Sequence, residues 1–334
     1  MMIFKTYRQL LKKGILSINQ RNSDYVLKYN ARKNYPLVDD KLKTKQLALN
    51  ANIAVPDLFA LIETEHQIKK IDNILEPYHD FVIKPAQGSG GDGILVINGR
   101  VGNRYRQING KLLSQQELSY HLSRLLSGAY SLGGHHDYAI IEKRVEVDPV
   151  FNAISYQGVP DVRIITLLGY PAMAMLRLPT RSSGGKANLH QGAIGAGVDI
   201  STGKTLNAVW HNDIIDHHPD TLHPIANIQI PYWDQILEIA SGCYELTGMG
   251  YLGVDIVIDK QQGPLMLEIN ARPGLNIQIA NQEGLLKRLR PIEQHVESMP
   301  HEAIRSRIAF SQHHFKRTLT PTSTPLIPVE EAAH

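Results

Sequence analysis

Apolar and polar positions along this 334-residue chain repeat with two periods, and the switches between them mark out its elements. Phe4, Tyr7, Leu11 and Ile15 recur at helical spacing, with Lys5, Arg8, Lys12 and Lys13 off that face or at its edge. This predicts a short basic helix docked on its own domain rather than on a membrane surface, because its apolar stripe is short. A helix is expected over 39–50, with Asp39 or Asp40 as N-cap and with Lys41 and Lys45 on one face. β-rich runs predict strands over 58–62, 81–84, 94–98 and 138–145, with a helix over 65–75. Another helix starts at Ser114, where Glu117 completes a capping box, and stops at Gly128. The second half predicts a strand pair over 161–178, a Gly-rich loop over 181–197, a helix over 231–247 and a closing hairpin over 251–270. Thr, Ser and Pro alternate from Thr318 onward, which predicts a disordered tail. The expected chain is α+β, without internal repeats. It divides into a short segment 1–36, a smaller unit 37–145, a larger unit 146–315 and a tail 316–334.

Composition narrows the class. Hydrophobic residues make up 43% and charged residues 20%, which excludes a wholly disordered chain and a collagen-like fibre. A net charge of +3, with both signs scattered throughout, gives no basic stripe for nucleic acid. The single cysteine, Cys243, forms neither an intrachain disulfide nor a thiolate metal cage; following Ile236, Ile239 and Ala240, it reads as a small buried hydrophobe. The longest uncharged stretch, 164–176, is broken by Gly169-Tyr170-Pro171 and falls short of the roughly 20 apolar residues that span a bilayer. Met1-Met2-Ile3-Phe4-Lys5 has no apolar signal core behind it, so a reducing cytoplasm is the expected compartment.

Two glycine motifs mislead. Gly88-Ser89-Gly90-Gly91-Asp92-Gly93 has the spacing of a dinucleotide fingerprint, but a β-rich run follows it where a helix is required. Ser201-Thr202-Gly203-Lys204-Thr205 imitates the end of a P-loop, yet Val198 stands where its first glycine belongs. What remains of the first motif is a loop between two strands, with Lys84 just before it in an apolar strand. Such a loop can fold over phosphates and offer its backbone N–H groups. The hairpin carries the stronger signal. If residues 260–263 form its loop, Asp255 lies opposite Glu268, and Asn270 projects from the same face while Leu267 and Ile269 turn into a core. Opposed carboxylates repel without a cation. An oxygen-only set of this kind suits Mg²⁺, whose shell phosphates and water complete. The plain alternative is a solvated face whose acids pair with lysines.

Several motifs occur in one order: Lys84 before the flap, Glu142-Lys143-Arg144-Val145, Asp161-Val162-Arg163, Asn188-Leu189-His190-Gln191-Gly192, Gly253-Val254-Asp255-Ile256, and Leu267-Glu268-Ile269-Asn270-Ala271-Arg272-Pro273-Gly274. In this the chain resembles the ATP-grasp superfamily over roughly residues 37–290. It is similar to the glutamate ligases that extend the tail of a ribosomal protein and to the sugar-transfer-associated, alpha-L-glutamate ligase-like proteins. The resemblance implies an ATP-grasp fold in which two α+β subdomains enclose ATP, with a reduced N-terminal domain. It implies a ligase that phosphorylates a carboxylate and passes the acyl group to an amine. Lys41, Lys84 and the flap residues Gly88, Ser89, Gly90, Gly91 and Gly93 would then contact phosphates. Glu142, Lys143, Arg144 and Val145 would meet adenine, and Asp161 would sit near the ribose. Asp255, Glu268 and Asn270 would hold Mg²⁺, or Mn²⁺ in its place. Arg163, Lys186 and Arg272 would face the reacting groups, with Arg177, Asn188 and His190 on the substrate side. The implied partners are an amino acid or another carboxylate or amine, and a protein or peptide acceptor; a homo-oligomer is compatible with this reading.

The sequence also departs from the glutamate ligases. Only about 40 residues precede Lys41, the hinge reads Glu-Lys-Arg rather than more acidic, and Arg272 replaces a small residue. The different-class rivals are a non-catalytic ATP-binding module and a phosphotransferase. Fifteen histidines include the pairs His135-His136, His217-His218 and His313-His314, but none has the H-E-x-x-H spacing of a zinc enzyme.

Overall fold

Thirteen strands pair into two antiparallel sheets in the computed structural model, which describes residues 12–88, 90–131 and 133–317. The first sheet contains β1 (Leu58–Ile62), β2 (Phe81–Pro85), β3 (Leu95–Val101), β4 (Arg104–Gln107), β5 (Leu112–Leu113) and β6 (Ala139–Glu142), in the order β1-β6-β2-β3-β4-β5. The second contains β7 (Asp161–Leu167), β8 (Tyr170–Leu178), β9 (Ile194–Val198), β10 (Thr205–Trp210), β11 (Asp213–Ile215), β12 (Tyr251–Asp259) and β13 (Gly263–Asn270), in the order β11-β10-β9-β8-β7-β12-β13. Among the described residues no helix is long and apolar enough to cross a membrane.

Strand alternation assigns each sheet a core face and a polar face. In the first sheet Phe81, Ile83, Ala139 and Ile141 pack on Leu118, Leu122 and Leu125 of the helix Gln115–Leu126. Lys84 and Glu142 must therefore leave by the opposite face. In the second sheet Val254, Ile256 and Ile258 join the core against the helix Trp233–Thr247, which turns Asp255 away from it. That helix also carries Cys243, fully buried against Met266 as the sequence indicates.

Helix starts follow their caps. Asp40 accepts from the backbone of Leu42 and Lys43 and so opens the helix Lys41–Asn50; Ser114 and Glu117 form the expected capping box. The helix expected over 65–75 is instead two short helices, Glu65–Ile68 and Ile71–Leu75, yet Ile68, Ile71 and Leu75 all still reach the core. The strand expected over 138–145 stops at Glu142, because the Lys143 amide turns to donate to the Asp57 carbonyl at 2.9 Å.

Part of the expected loop 181–197 is β9, and its glycines serve packing rather than flexibility. A Cβ on Gly197 would come within 2.7 Å of the Ala280 carbonyl oxygen. The hairpin corrects the sequence in a different way. Asp259 pairs with Gly263, so its loop is one residue shorter than expected; a bulge between Asp255 and Ile256 then restores the pairing of Asp255 with Glu268. The bulged residue is Leu267. It joins Val145, Val257 and Leu265 in a small separate cluster instead of entering the main core with Ile269.

Phe4, Tyr7 and Leu11 of the expected basic helix lie outside the described residues, as do Ser89 and the tail from Thr318. The N-terminal stretch that is described is fastened to the larger sheet. Leu16 is buried and exchanges two backbone hydrogen bonds with the Gln278 side chain, at 2.8 and 3.0 Å. Asn30 accepts from the Tyr251 amide at 2.9 Å and donates to the carbonyls of Tyr251 and Ala271 at 2.7 and 3.0 Å.

Candidate active site

Charged side chains from the polar faces of both sheets make up the candidate site. On the smaller sheet Glu142 lies between two lysines. Lys84 Nζ is 2.5 Å from Glu142 Oε1 and Lys45 Nζ is 2.8 Å from Oε2; all three side chains are buried. Burial by itself would raise the Glu142 carboxyl, but Lys84 and Lys45 override it and hold the group below the usual carboxylate range. Burial pulls the Lys45 ammonium down, and Glu142 restores only part of that loss. The triad carries one net positive charge, an arrangement that favours an arriving anion.

The glycine flap leaves β2 just beyond Lys84, and its base is pinned. The buried Asp137 carboxylate accepts from the Gln87 amide at 3.1 Å, the Tyr138 amide at 2.7 Å and the Ser131 hydroxyl at 2.7 Å. Gly88 fits there because a Cβ would fall 2.2 Å from Pro85 Cγ. His121 Nε2 lies 3.0 Å from the Gly93 carbonyl at the far end. Across the cleft, Asn188 donates to the Gly90 carbonyl at 3.3 Å, and Lys186 Nζ lies 3.9 Å from Asp92. Asn188 also caps the turn Leu189–Gln191, on which His190 is exposed.

Register lines up the second half of the site. Arg163 on β7 is the partner of Asp255 on β12, which is the partner of Glu268 on β13. Arg163 grips Asp255 through two bonds of 2.7 and 2.6 Å. Arg177, opposite Asp161 on β8, binds both Asp161 oxygens and donates to Asp255 Oδ2 at 2.7 Å. Its guanidinium is thus committed to two carboxylates, and Asp161 is committed to Arg177 rather than open toward a ribose. Burial alone would raise Asp255, but Arg163 and Arg177 hold its carboxyl below the usual range. Burial raises the Asp161 carboxyl, and Arg177 offsets only part of the effect.

Lys41 connects the two halves. Its amide donates to the Ala86 carbonyl, its ammonium to the Gly88 carbonyl, and the same ammonium lies 3.7 Å from Glu268. The opposed carboxylates therefore already have cations: two arginines for Asp255 and a lysine for Glu268. A divalent ion is not required to relieve their repulsion. The donors still suit one. Asp255 Oδ1 takes a single hydrogen bond, Glu268 is partly exposed beside it, and the Asn270 amide lies 3.4 Å from Asp255 Oδ2. Among the described residues no group of three or more His, Cys, Asp or Glu is placed to hold a metal ion.

The Lys143 amide is spent on Asp57, and the Arg144 guanidinium pairs with Asp80 at 2.9 Å; Val145 joins the cluster beside Leu265. Arg272, exposed, lies over the Tyr35 ring at 4.3 Å. A groove of about 610 Å³ between Leu47, Ile53, Ile239, Leu246 and Ile304 contains none of these groups, so its size does not mark the site.

A family model described as sugar-transfer associated ATP-grasp matches residues 20–294. The chain belongs to that family. Its α+β architecture, with two antiparallel sheets and flanking helices, is an ATP-grasp fold. Among solved structures this ATP-grasp chain is similar to the ligase PsnB complexed with a minimal precursor, at 13% identity over 81% of this chain and 63% of that one, TM-score 0.43. It is similar to D-alanine–D-alanine ligase from Bacillus anthracis, at 14% identity over 84% and 69% of the two chains, TM-score 0.42. It is also similar to the D-cycloserine synthetase DcsG, at 14% identity over 78% and 71%, TM-score 0.43. The chain spans less than two thirds of the PsnB chain, and such distant likenesses assign it no reaction and no substrate. No curated protein matches it in sequence.

Sequence reasoning gave no role to Lys45, Asp137, His121 or Tyr35. Lys45 carried a weak signal, a lysine one turn from Lys41 on the same face; for the others only the fold brings them to the site.

Proposed function

We propose that this ATP-grasp chain is an ATP- and Mg²⁺-dependent carboxylate–amine ligase. The observation that carries the reading is the row Arg163–Asp255–Glu268, closed by Lys41 from the base of the flap, because it gathers cations and hard oxygen donors at one cleft. Lys41, Lys84 and the flap backbone bind the phosphates, while the segment after Glu142 borders the adenine. When bound, Mg²⁺ on Asp255, Glu268 and Asn270 neutralises phosphate charge. A carboxylate oxygen of the donor attacks the γ-phosphorus, the bond to the bridging oxygen breaks, and ADP leaves. The amine then attacks the acyl carbon, inorganic phosphate leaves, and the nitrogen's proton passes to solvent. Arg163, Lys186 and Arg272 meet the charge that develops on the phosphoryl and carboxylate oxygens. The finer reading is addition of an amino acid such as glutamate to a protein, peptide or small-molecule acceptor, in a reducing cytoplasm where the lone buried thiol stays reduced.

Incubation of the full chain with ATP, Mg²⁺ and a panel of amino acids and amines tests this. ADP release that requires both a donor and an acceptor, with an amide product detected by mass spectrometry, supports the ligase. ADP with a released phosphorylated product indicates a phosphotransferase, and ATP binding without ADP release indicates a binding module.

A further inference from the structure

Both feet of the glycine flap sit against Tyr130. At the first foot Gly88 bridges to Ser131, and a Cβ there would come within 3.3 Å of the Tyr130 carbonyl oxygen. At the second foot Gly93 lies on the Tyr130 ring. Its φ is +75°, and a Cβ would fall 2.6 Å from Tyr130 Cγ, so only glycine fits. His121 closes this second foot from the helix Gln115–Leu126. Its Nε2 is 3.0 Å from the Gly93 carbonyl, and its ring lies 5.6 Å from that of Tyr130 at an interplanar angle of 36°. Between the feet the Gly90 carbonyl accepts from Asn188 at 3.3 Å, so the flap is drawn across the cleft.

The two feet are held by different chemistry. The first is tied to the buried Asp137 carboxylate through the Gln87 amide, one residue before Gly88. The second depends on a partly buried imidazole. A carbonyl only accepts, so its bond assigns the proton to His121 Nε2 and leaves Nδ1 bare in the neutral ring. Burial pulls His121 below the usual histidine range; the Gly93 carbonyl restores part of the loss, and Arg124 adds to it. Arg124, on the same helix and 5.2 Å over the Tyr130 ring, and Tyr130 itself are the titratable side chains beside the imidazole. Asp92, next to Gly93, lies 3.9 Å from Lys186, and Glu65 of the helix Glu65–Ile68 accepts from Ser123 at 2.9 Å. Among the described residues no carboxylate pairs with the His121 ring to stabilise a second proton on it.

We propose that His121 is a positioning residue for the nucleotide: it latches the second foot of the flap and so keeps the flap's backbone N–H groups turned to the phosphates. The first foot is then the hinge, and the second is the end that opens. The latched ring favours its neutral form more than a released, hydrated ring does. The latch is therefore fully present above about pH 6.5, the ordinary histidine value, and falls away as pH drops from there toward the lower value of the latched ring. This rests on the ATP-binding part of the reading above, and it adds a control by protons that neither the transfer chemistry nor the metal site requires.

The test is calorimetric titration of the full chain with Mg²⁺-ADP between about pH 7.5 and about pH 5.5, on wild type, His121→Gln and His121→Phe. Gln keeps an N–H donor at about the reach of Nε2 but does not titrate, whereas Phe keeps a ring against Tyr130 and loses the donor. Over this range wild type should lose several-fold more affinity than His121→Gln. About tenfold is the ceiling, set by an ordinary histidine about one unit above the lower pH. Comparison with His121→Gln cancels the titration of the nucleotide itself. At the upper pH His121→Phe should weaken binding about threefold or more, the scale of one neutral hydrogen bond, and His121→Gln should recover most of that loss. Hydrogen exchange in ligand-free His121→Phe should speed up at residues 91–94 while residues 86–88 keep their protection, which a general loss of stability does not produce. Parallel pH profiles in wild type and His121→Gln overturn the control by protons, and wild-type affinity in His121→Phe at the upper pH overturns the latch. Failure of the wild-type chain to bind Mg²⁺-ADP removes the nucleotide reading instead; the exchange comparison, which needs no nucleotide, then decides the latch separately.

Discussion

Glu268 stands directly opposite Asp255 across β12 and β13, yet the two carboxylates answer to different cations. Arg163 and Arg177 hold Asp255, while Lys41 reaches toward Glu268 at 3.7 Å. Like charges so placed would otherwise destabilise the pair by up to about 1 kcal/mol. The division of cations fixes Asp255 and leaves Glu268 partly exposed, as the proposed metal site requires.

A first expectation follows for Glu268→Gln. Without nucleotide its stability should stay within about 0.5 kcal/mol of wild type, since both the repulsion and the lysine contact are weak at a partly exposed site. On the proposed ligase reading, ATP turnover with Mg²⁺ should fall about 100-fold or more, because the proposed metal site would lose an anionic ligand. Urea melts of the apo protein and ADP-release assays check the two halves. A clear apo destabilisation with intact turnover would make Glu268 a structural partner of Lys41 only.

The buried Lys84–Glu142–Lys45 triad behaves differently, because no water screens it. Glu142→Gln leaves two ammonium groups facing a neutral amide and should cost about 3–5 kcal/mol. Adding Lys45→Met removes one of them and should restore a good part, a non-additivity that a double-mutant cycle measures. The pH dependence has a definite sign. Glu142 has a folded pKa below its unfolded value, so its stabilising contribution is present above about pH 4.5 and is lost as pH falls through the folded value. Lys45 is lowered, so in Glu142→Gln its deprotonation at alkaline pH should relieve the repulsion and narrow the gap to wild type. Denaturant melts from pH 4 to pH 10 test both limbs.

Alternation along the hairpin was enough to put Asp255, Glu268 and Asn270 on one face, and the order of the motifs was enough for the family. The hairpin shows the limit of counting. The loop is one residue shorter than expected and Leu267 bulges, so two departures cancel and leave Asp255 opposite Glu268. A bulge has no period in the sequence and cannot be read from it. Gly195 and Gly197 look like loop glycines because a packing glycine and a flexible one are the same letter; only the approach of Leu189 to the first and of Ala280 to the second separates them. Arg177 looked open to a substrate because its partner Asp161 lies sixteen positions away, across a strand pairing that alternation alone does not fix. Asn30 and Tyr35 were silent for the same reason: their partners are more than 200 residues distant.

Cys243 provides a probe of global opening. Its thiol is fully buried, donates to the Ile239 carbonyl at 3.2 Å, and burial pushes it up to about 12. At pH 8 the native thiol should react with an aromatic disulfide reagent only when the helix Trp233–Thr247 leaves the sheet. Labelling should be at least about a thousandfold slower than in denaturant, and should slow further with Mg²⁺-ADP if nucleotide stabilises the fold. Rapid labelling of the native chain would show that this part of the core opens locally.

The flap gives the last expectation, because one carboxylate, Asp137, gathers three donors at its base. Asp137 gathers the Gln87 and Tyr138 amides and the Ser131 hydroxyl at the point where the chain leaves β2. Asp137→Ala leaves three half-buried donors without their partner, and each such loss costs up to about 1–3 kcal/mol to the extent that water cannot replace it. Asp137→Asn keeps the volume but presents only one acceptor oxygen, so it should lose less. The Lys84–Glu142–Lys45 triad is left intact by both changes, and the negative charge each removes beside the flap would by itself favour an anionic nucleotide, so a fall in affinity reports the loosened base of the flap. Nucleotide affinity should therefore fall in the order wild type, Asn, Ala, and hydrogen exchange should speed up at residues 86–93 before it does in the strands of the smaller sheet. The same order should hold in ADP-binding calorimetry at high salt, because what is lost is the geometry of backbone donors rather than a screened charge. If Asp137→Ala speeds exchange across the whole smaller sheet without a selective effect at 86–93, Asp137 is a general stability element and the flap is ordered by other contacts.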